Sequence, residues 1–226
     1  MSLVTRPSIS VVVPALDEAE EIAATLESVG GEAEELVVVD GGSRDETVAR
    51  AEERGARVLR SEAGRARQMN SGARASNGEI LLFLHADTRL PAGWGTRVRE
   101  TICGGAVAGR FDVVLRGSHP LLRVVAVSMN LRSRLSRIYT GDQAIFVRRD
   151  VFERVGGYES IPLMEDIALS RRLKREGAIA CLREKVSTSG RRWETRGAVR
   201  TIGLMYWLRF AYFVGVSPER LARMYR

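Results

Sequence analysis

The chain has 226 residues, 45% of them hydrophobic, and a net charge of +7, enough apolar material for one domain to bury most of what its unfolded form exposes. No run of 18 uncharged apolar residues reads as a membrane span, so one cytoplasmic domain over 1–226 is expected. The positive charge is carried mainly by arginine, whose planar fork suits phosphate oxygens and anionic lipid, whereas aromatics are too sparse, 6% of the chain, for a nucleic-acid reader.

The segment SISVVVPA (8–15) is an apolar run rich in β-branched residues, the pattern of a strand buried on both faces. A helix follows it, with Asp17 as its expected cap, acidic residues in its first turn, and Ile22, Leu26 and Val29 on one face before Gly30 and Gly31. The unit repeats: ELVVVD (35–40) is a strand, Ser43 and Glu46 read as a capping box, and the next helix ends at Gly55. ARVLRS (56–61) is the third strand, 65–76 a basic helix closed by Asn77-Gly78, and EILLFLHAD (79–87) the fourth strand. Strand and helix alternating at this spacing predict a doubly wound, mostly parallel α/β sheet with helices on both faces.

Beyond residue 100 the alternation fails and a smaller mixed part is expected. AVAGRFDVVL (106–115) and QAIFV (143–147) read as strands. Residues 120–138 read as a helix presenting Leu121, Val124, Val125, Leu131, Leu135 and Ile138 on one side. PLMEDIALSRRLKREG (162–177) is a helix with Glu165 and Asp166 in its first turn, and SGRRWETRG (189–197) a glycine-bounded loop. The last helix, near 199–214, is dense in Leu, Met and aromatics, and suits core packing, a dimer seam or an interfacial membrane contact. Cys103 and Cys181 lack the companions that zinc or redox chemistry needs and are expected to be buried thiols.

Ligands of an open parallel sheet sit outside the carboxyl ends of its strands, and the residues there are polar. The first strand delivers Pro14, Ala15 and Asp17, the second Asp40 followed by Gly41 and Gly42, and the fourth His85, Ala86 and Asp87. Gly64, Arg65 and Arg67 open the basic helix, where dipole and guanidinium both attract anions. One carboxylate at the mouth of the core, such as Asp87, suits magnesium or manganese, which keeps waters and takes substrate phosphates. Asp166 or Glu165 can accept a proton from an attacking hydroxyl.

In order and spacing, SVVVPALDEAEEI, LVVVDGGSRDET, GRARQMNSGA, LLFLHADTRLP, GDQAIFVRRDVFERVGGY, LMEDIALSRRLKREG and SGRRWETRG resemble the family 2 glycosyltransferases of GT-A fold. The likeness is strongest to short bacterial members carrying GDQ, LMED and RRWE. It implies a nucleotide-binding half (1–100), an acceptor and catalytic half (101–198) and a C-terminal amphipathic segment (199–226). It further implies metal-dependent transfer of a sugar from a nucleotide-diphosphate donor to an acceptor hydroxyl, inverting and non-processive.

By that resemblance Pro14, Ala15 and Asp40 hold the nucleoside and Arg67 lies near the diphosphate. Asp17, Glu18, Gly41, Gly64 and Ala86 complete the donor site, and Asp87 is the last carboxylate of the metal motif, with His85 where its first Asp is usual. Asp166 is the base beside Glu165, while Asp142, Gln143, Arg192 and Trp193 face acceptor or diphosphate. Ser189 replaces the Gln of the processive motif. The rival readings are a nucleotidyltransferase, whose lysine-containing glycine loop is missing, and a non-catalytic sugar-nucleotide sensor. Asp40, Asp87 and Asp166 are expected around one cleft.

Overall fold

Strand, helix and return strand follow one another as the apolar runs foretell. The computed structural model describes residues 6–225, apart from the side chains of Arg192, Arg196 and Ala198. The first half runs β1 (Ile9–Ala15), α1 (Ala19–Val29), β2 (Glu35–Asp40), α2 (Thr47–Glu53), β3 (Arg57–Arg60), α3 (Arg65–Ala75) and β4 (Ile80–Phe83). The second runs β5 (Thr88–Arg89), α4 (Trp94–Cys103), β6 (Ala108–Arg116), α5 (Leu121–Ser136), β7 (Ile145–Arg148), α6 (Arg149–Arg154), α7 (Glu165–Glu176), β8 (Ile179–Ser189), α8 (Arg191–Arg196), α9 (Ala198–Phe213) and α10 (Pro218–Tyr225).

These strands form one sheet ordered β3-β2-β1-β4-β7-β6-β8-β5. β3, β2, β1 and β4 are parallel neighbours. β7 pairs antiparallel with both β4 and β6, which makes the second half mixed. All seven residues of β1 are buried, as a central strand covered on both faces requires. One apolar layer packs Ile22, Leu26 and Trp94 against one face, and another packs Met69, Phe152 and Leu173 against the other. A third, smaller cluster joins Leu163, Met164 and Ile167 to Leu208 and Ala211 of α9 and Leu221 of α10. It fixes the last two helices over the start of α7.

Several local expectations are corrected. Asp17 does not cap α1, whose N-cap position is Glu18 without a side-chain bond. Asp17 instead takes φ 53°, accepts a hydrogen bond from the Arg44 amide at 2.8 Å and donates its own amide to Ser43 Oγ at 2.9 Å. Ser43 is thereby drawn away from a capping box, and α2 has none. The two loops at the carboxyl ends of β1 and β2 are laced together by groups expected to cap helices. β4 ends at Phe83, so His85 to Asp87 lie in the turn before β5. Residues 191–196 are a short helix rather than a loop.

On α5 the buried residues are Leu122, Val125, Ala126 and Ser133, while Val124, Leu131 and Leu135 of the expected apolar face are exposed. The cause is polar: Asn130 accepts from the Val113 amide and donates to its carbonyl, bonding to β6 as a strand would, and this turns the helix. Cys103 is exposed and Cys181 half-buried.

Candidate active site

A cavity of about 770 Å³ opens beyond the carboxyl ends of β1 and β4, within the range of small-molecule sites. Pro14 and Ala15 leave β1 into it, Gly64 meets it at the start of α3, and Ala86 and Asp87 enter from the turn after β4. Asp142, Asp166 and Trp193 close the opposite wall, with parts of α5 and α9. Asp87 and Asp166, 79 positions apart in sequence numbering, therefore share one chamber.

The Asp87 carboxylate meets the hydroxyls of Thr88 and Thr188, each at 3.4 Å, but among the described residues no arginine or lysine pairs with it. Arg116 is close, yet it spends its guanidinium on Glu21 at 2.6 Å and on the backbone oxygen of Asp87 at 3.0 Å. A carboxylate left without a counter-cation at a cavity mouth suits a hard divalent ion. Among the described residues no three His, Cys, Asp or Glu side chains converge to hold a metal, so Asp87 would be the protein carboxylate offered to any cation bound here. Glu18 stands on the same wall with Arg191 Nη2 at 3.2 Å. Burial pushes its carboxyl up, against the pull of Arg191 and with the repulsion of Asp87.

Asp166 is held by two backbone amides, Gly141 at 3.0 Å and Ile167 at 2.7 Å. The residue preceding the Glu165-Asp166 pair, Met164, has φ 71°, a left-handed conformation unusual for a residue with a side chain, and such conformations gather at functional sites. Glu165 is 3% exposed and faces Arg65 Nε at 2.8 Å, while its Oε2 has no partner. Burial raises its pKa against the pull of Arg65. Burial also works against the charge of Arg65, but Glu165 and then Asp166 outweigh it and hold that guanidinium above its usual range. His85 Nδ1 lies 3.2 Å from Asp142 Oδ1. Burial opposes its protonation, and Asp142 more than offsets this, raising the imidazole. A Cβ on Gly141 would overlap the His85 ring, so the turn 141–143 lies flat against it.

Other expected site residues fall outside the cavity lining. Asp40 is 2% exposed and its carboxylate accepts the amides of Gly42 and Ser43 at 3.1 and 3.0 Å, one strand away from Ala15. Of the three acids expected around one cleft, two line it and Asp40 backs its wall. Gly41 packs against Gln68, Asp17 braces the neighbouring loop, and Arg67 turns outward to Glu62, leaving Arg65 as the arginine of α3 that enters the cavity. Gln143 is fully buried and donates to Ser133 Oγ at 3.0 Å, anchoring the turn to α5. The Arg192 side chain lies outside the described residues, and Arg191 beside it lines the cavity. Sequence reasoning assigned no site role to Arg132 of α5 or Arg209 of α9, which also line it. Arg209 is a lone charge in a stretch, YWLRFAYF, otherwise apolar or aromatic.

The model of Glycosyl transferase family 2 matches residues 10–158. The chain belongs to this family. Among relatives, the glucosyl-3-phosphoglycerate synthase of Mycolicibacterium smegmatis is 36% identical over 93 residues, 35% of this chain and 31% of the relative. That of Mycolicibacterium paratuberculosis is 37% identical over 93 residues, 35% and 28% of the two chains. The family 2 chain thus matches less than a third of the length of either. Among solved structures, S. aureus TarS 1–349 superposes with a TM-score of 0.65 at 20% identity, over 80% of this chain and 60% of that one. The same protein in complex with UDP-GlcNAc gives 0.64 at 19%, over 80% and 58%. At that identity the likeness is one of fold, and it agrees with a GT-A arrangement. No helix among the described residues of this family 2 chain is long and apolar enough to cross a membrane.

Proposed function

We propose that the cavity transfers a sugar from a nucleotide-diphosphate donor to an acceptor hydroxyl, by one displacement that inverts the anomeric carbon and releases the product. The observation that carries this reading is the pairing of Asp87, free of any described counter-cation, with Asp166 in one chamber entered from both halves of the sheet. Pro14, Ala15, Gly64 and Ala86 form the donor wall, backed by Asp40 and Gly41, and Glu18 with Arg191 flanks the diphosphate. Asp87 would hold magnesium or manganese, which when bound neutralises charge on the departing diphosphate.

Asp166 accepts the proton of the acceptor hydroxyl as its oxygen bonds to the anomeric carbon, and the bond to the diphosphate breaks with its electron pair leaving on the nucleotide. The two amides that donate to Asp166 fix its carboxylate for that transfer. Glu165, gripped by Arg65, positions the helix start. Trp193 offers a face for the sugar. Such an enzyme would work in the cytoplasm, where α9 meets the inner membrane face or a second copy through its exposed Trp207, Phe210 and Phe213.

The test is a thermal-shift series across uridine, guanosine and thymidine diphosphate sugars, with and without manganese. A donor at a hundredfold excess over its dissociation constant stabilises the fold by about 2.7 kcal/mol. Product formation is then followed in the wild type and in Asp87→Asn. If no nucleotide sugar raises the melting temperature, or if Asp87→Asn transfers normally, the reading is wrong.

A further inference from the structure

Beyond Asp166 the cavity continues between α5 and α9 and changes character. Ser128 and Tyr206 bridge the two helices at 2.5 Å, and Leu163, Ile167 and Leu208 supply apolar lining. Into this apolar end come two guanidiniums, Arg132 and Arg209. Neither has an acidic partner within salt-bridge distance among the described residues. Nε and Nη2 of Arg132 are buried without any hydrogen-bond acceptor. Burial, and then the repulsion of Arg209, push Arg132 down to about 10, and burial lowers Arg209 as well. Asp166 is the acid felt by both, and its carboxylate is already engaged by two amides.

A pair of like charges brought together in a desolvated wall, with donor edges left open, is costly to the fold and calls for an anion. A carboxylate would offset one charge. A phosphate monoester carries between one and two negative charges and three acceptor oxygens, which matches two forks. In the sugar-transfer reading Glu18, Arg191 and Asp87, which line the same cavity, serve the donor diphosphate, and this second cationic centre is left for the acceptor. We infer that Arg132 and Arg209 form a phosphate-binding subsite, and that the acceptor is a phosphate-bearing molecule whose hydroxyl is thereby presented to Asp166. This inference rests on the sugar-transfer reading of the cavity.

The experiment titrates the full chain, saturated with UDP to fill the donor side, with inorganic phosphate, phenyl phosphate and decyl phosphate. Phenyl phosphate should bind the wild type, and Arg132→Gln and Arg209→Gln should each weaken it by about tenfold. The double variant should weaken it by roughly a hundredfold, and Arg132→Lys should regain part of the loss because charge is kept. UDP affinity of the double variant should stay within about twofold of the wild type. Tighter binding of decyl phosphate assigns the acceptor to the lipid phosphates, and equal binding assigns it to water-soluble ones; both uphold the subsite. Phosphate esters that bind the double variant as well as the wild type overturn it. Loss of UDP binding in the double variant overturns it too, since the arginines would then serve the donor, as does a large fall in melting temperature with both single variants. A wild type that binds no nucleotide at all breaks the sugar-transfer reading instead, whatever the phosphates do.

Discussion

The two walls of the cavity are built on different terms. On the donor wall the charged groups beside the cavity are mostly answered: Asp40 by two amides, Asp17 by the Arg44 amide, Glu18 by Arg191. On the wall made by α5 and α9, Arg132 and Arg209 repel one another without an ion-pair partner among the described residues, and Val124 of the lining is exposed. In the proposed reading the first wall is complete before any ligand arrives, as suits a nucleotide donor. The other wall carries like charges that its own residues do not pair, and in the proposed reading the acceptor completes it, the pattern expected where specificity varies while chemistry is kept.

This contrast can be pressed at four points. The largest effect is expected where the walls meet: Asp166→Asn should lower kcat by 10²–10⁴-fold, on the order that a general base contributes, with little change in melting temperature, measured with whichever donor the thermal screen selects. Next, Gly72→Ala tests the packed half. Its Cβ would overlap a Val12 methyl and lie 3.0 Å from Val39, and destabilisation of about 1–3 kcal/mol is expected by urea unfolding; a neutral result would mean that α3 rides loosely on the sheet.

Gly203→Ala is its counterpart in the unfinished half. Nothing lies within 4 Å of a Cβ there, so helix propensity alone decides, and α9 should gain up to about 1 kcal/mol; a loss would show that the exposed face of α9 is already covered in solution. Smallest is Cys103→Ser, at an exposed position, expected within about 0.5 kcal/mol of the wild type. A larger change by the same urea assay would mean that this end of α4 is packed against something.

How far the sequence foretold these walls differs in the same way. The runs SVVVP, LVVVD and ILLF carry the sheet's first half, because a strand buried on both faces is nearly continuously apolar, and the polar exception, Ser10, is buried with its hydroxyl bonded to Glu35. Asp87 was visible as an acid following such a run, and Asp166 as one in the first turn of a helix. Asp40 looked the same in one dimension, yet its carboxylate is consumed by its own turn, an outcome that residue type alone leaves open.

The wall made by α5 and α9 was harder to read for a definite reason. The orientation of α5 is set by Asn130 bonding the backbone of β6, so a helix read by its apolar spacing is turned by a polar residue. Arg132 accordingly reaches the cavity while Leu131 does not. The interplay of Arg65 with Glu165 was likewise invisible, since it joins residues on separate helices.

The tight seat of Gly141 against His85 carries an evolutionary corollary. A chain with aspartate at position 85 would set it against Asp142, where His85 now stands 3.2 Å away, and the two acids would repel one another near Asp166. Positions 85 and 142 are thus a single choice: descendants of this sequence should exchange the imidazole only together with the acid opposite it, and an alignment in which the two vary independently would show that the seat is not constrained.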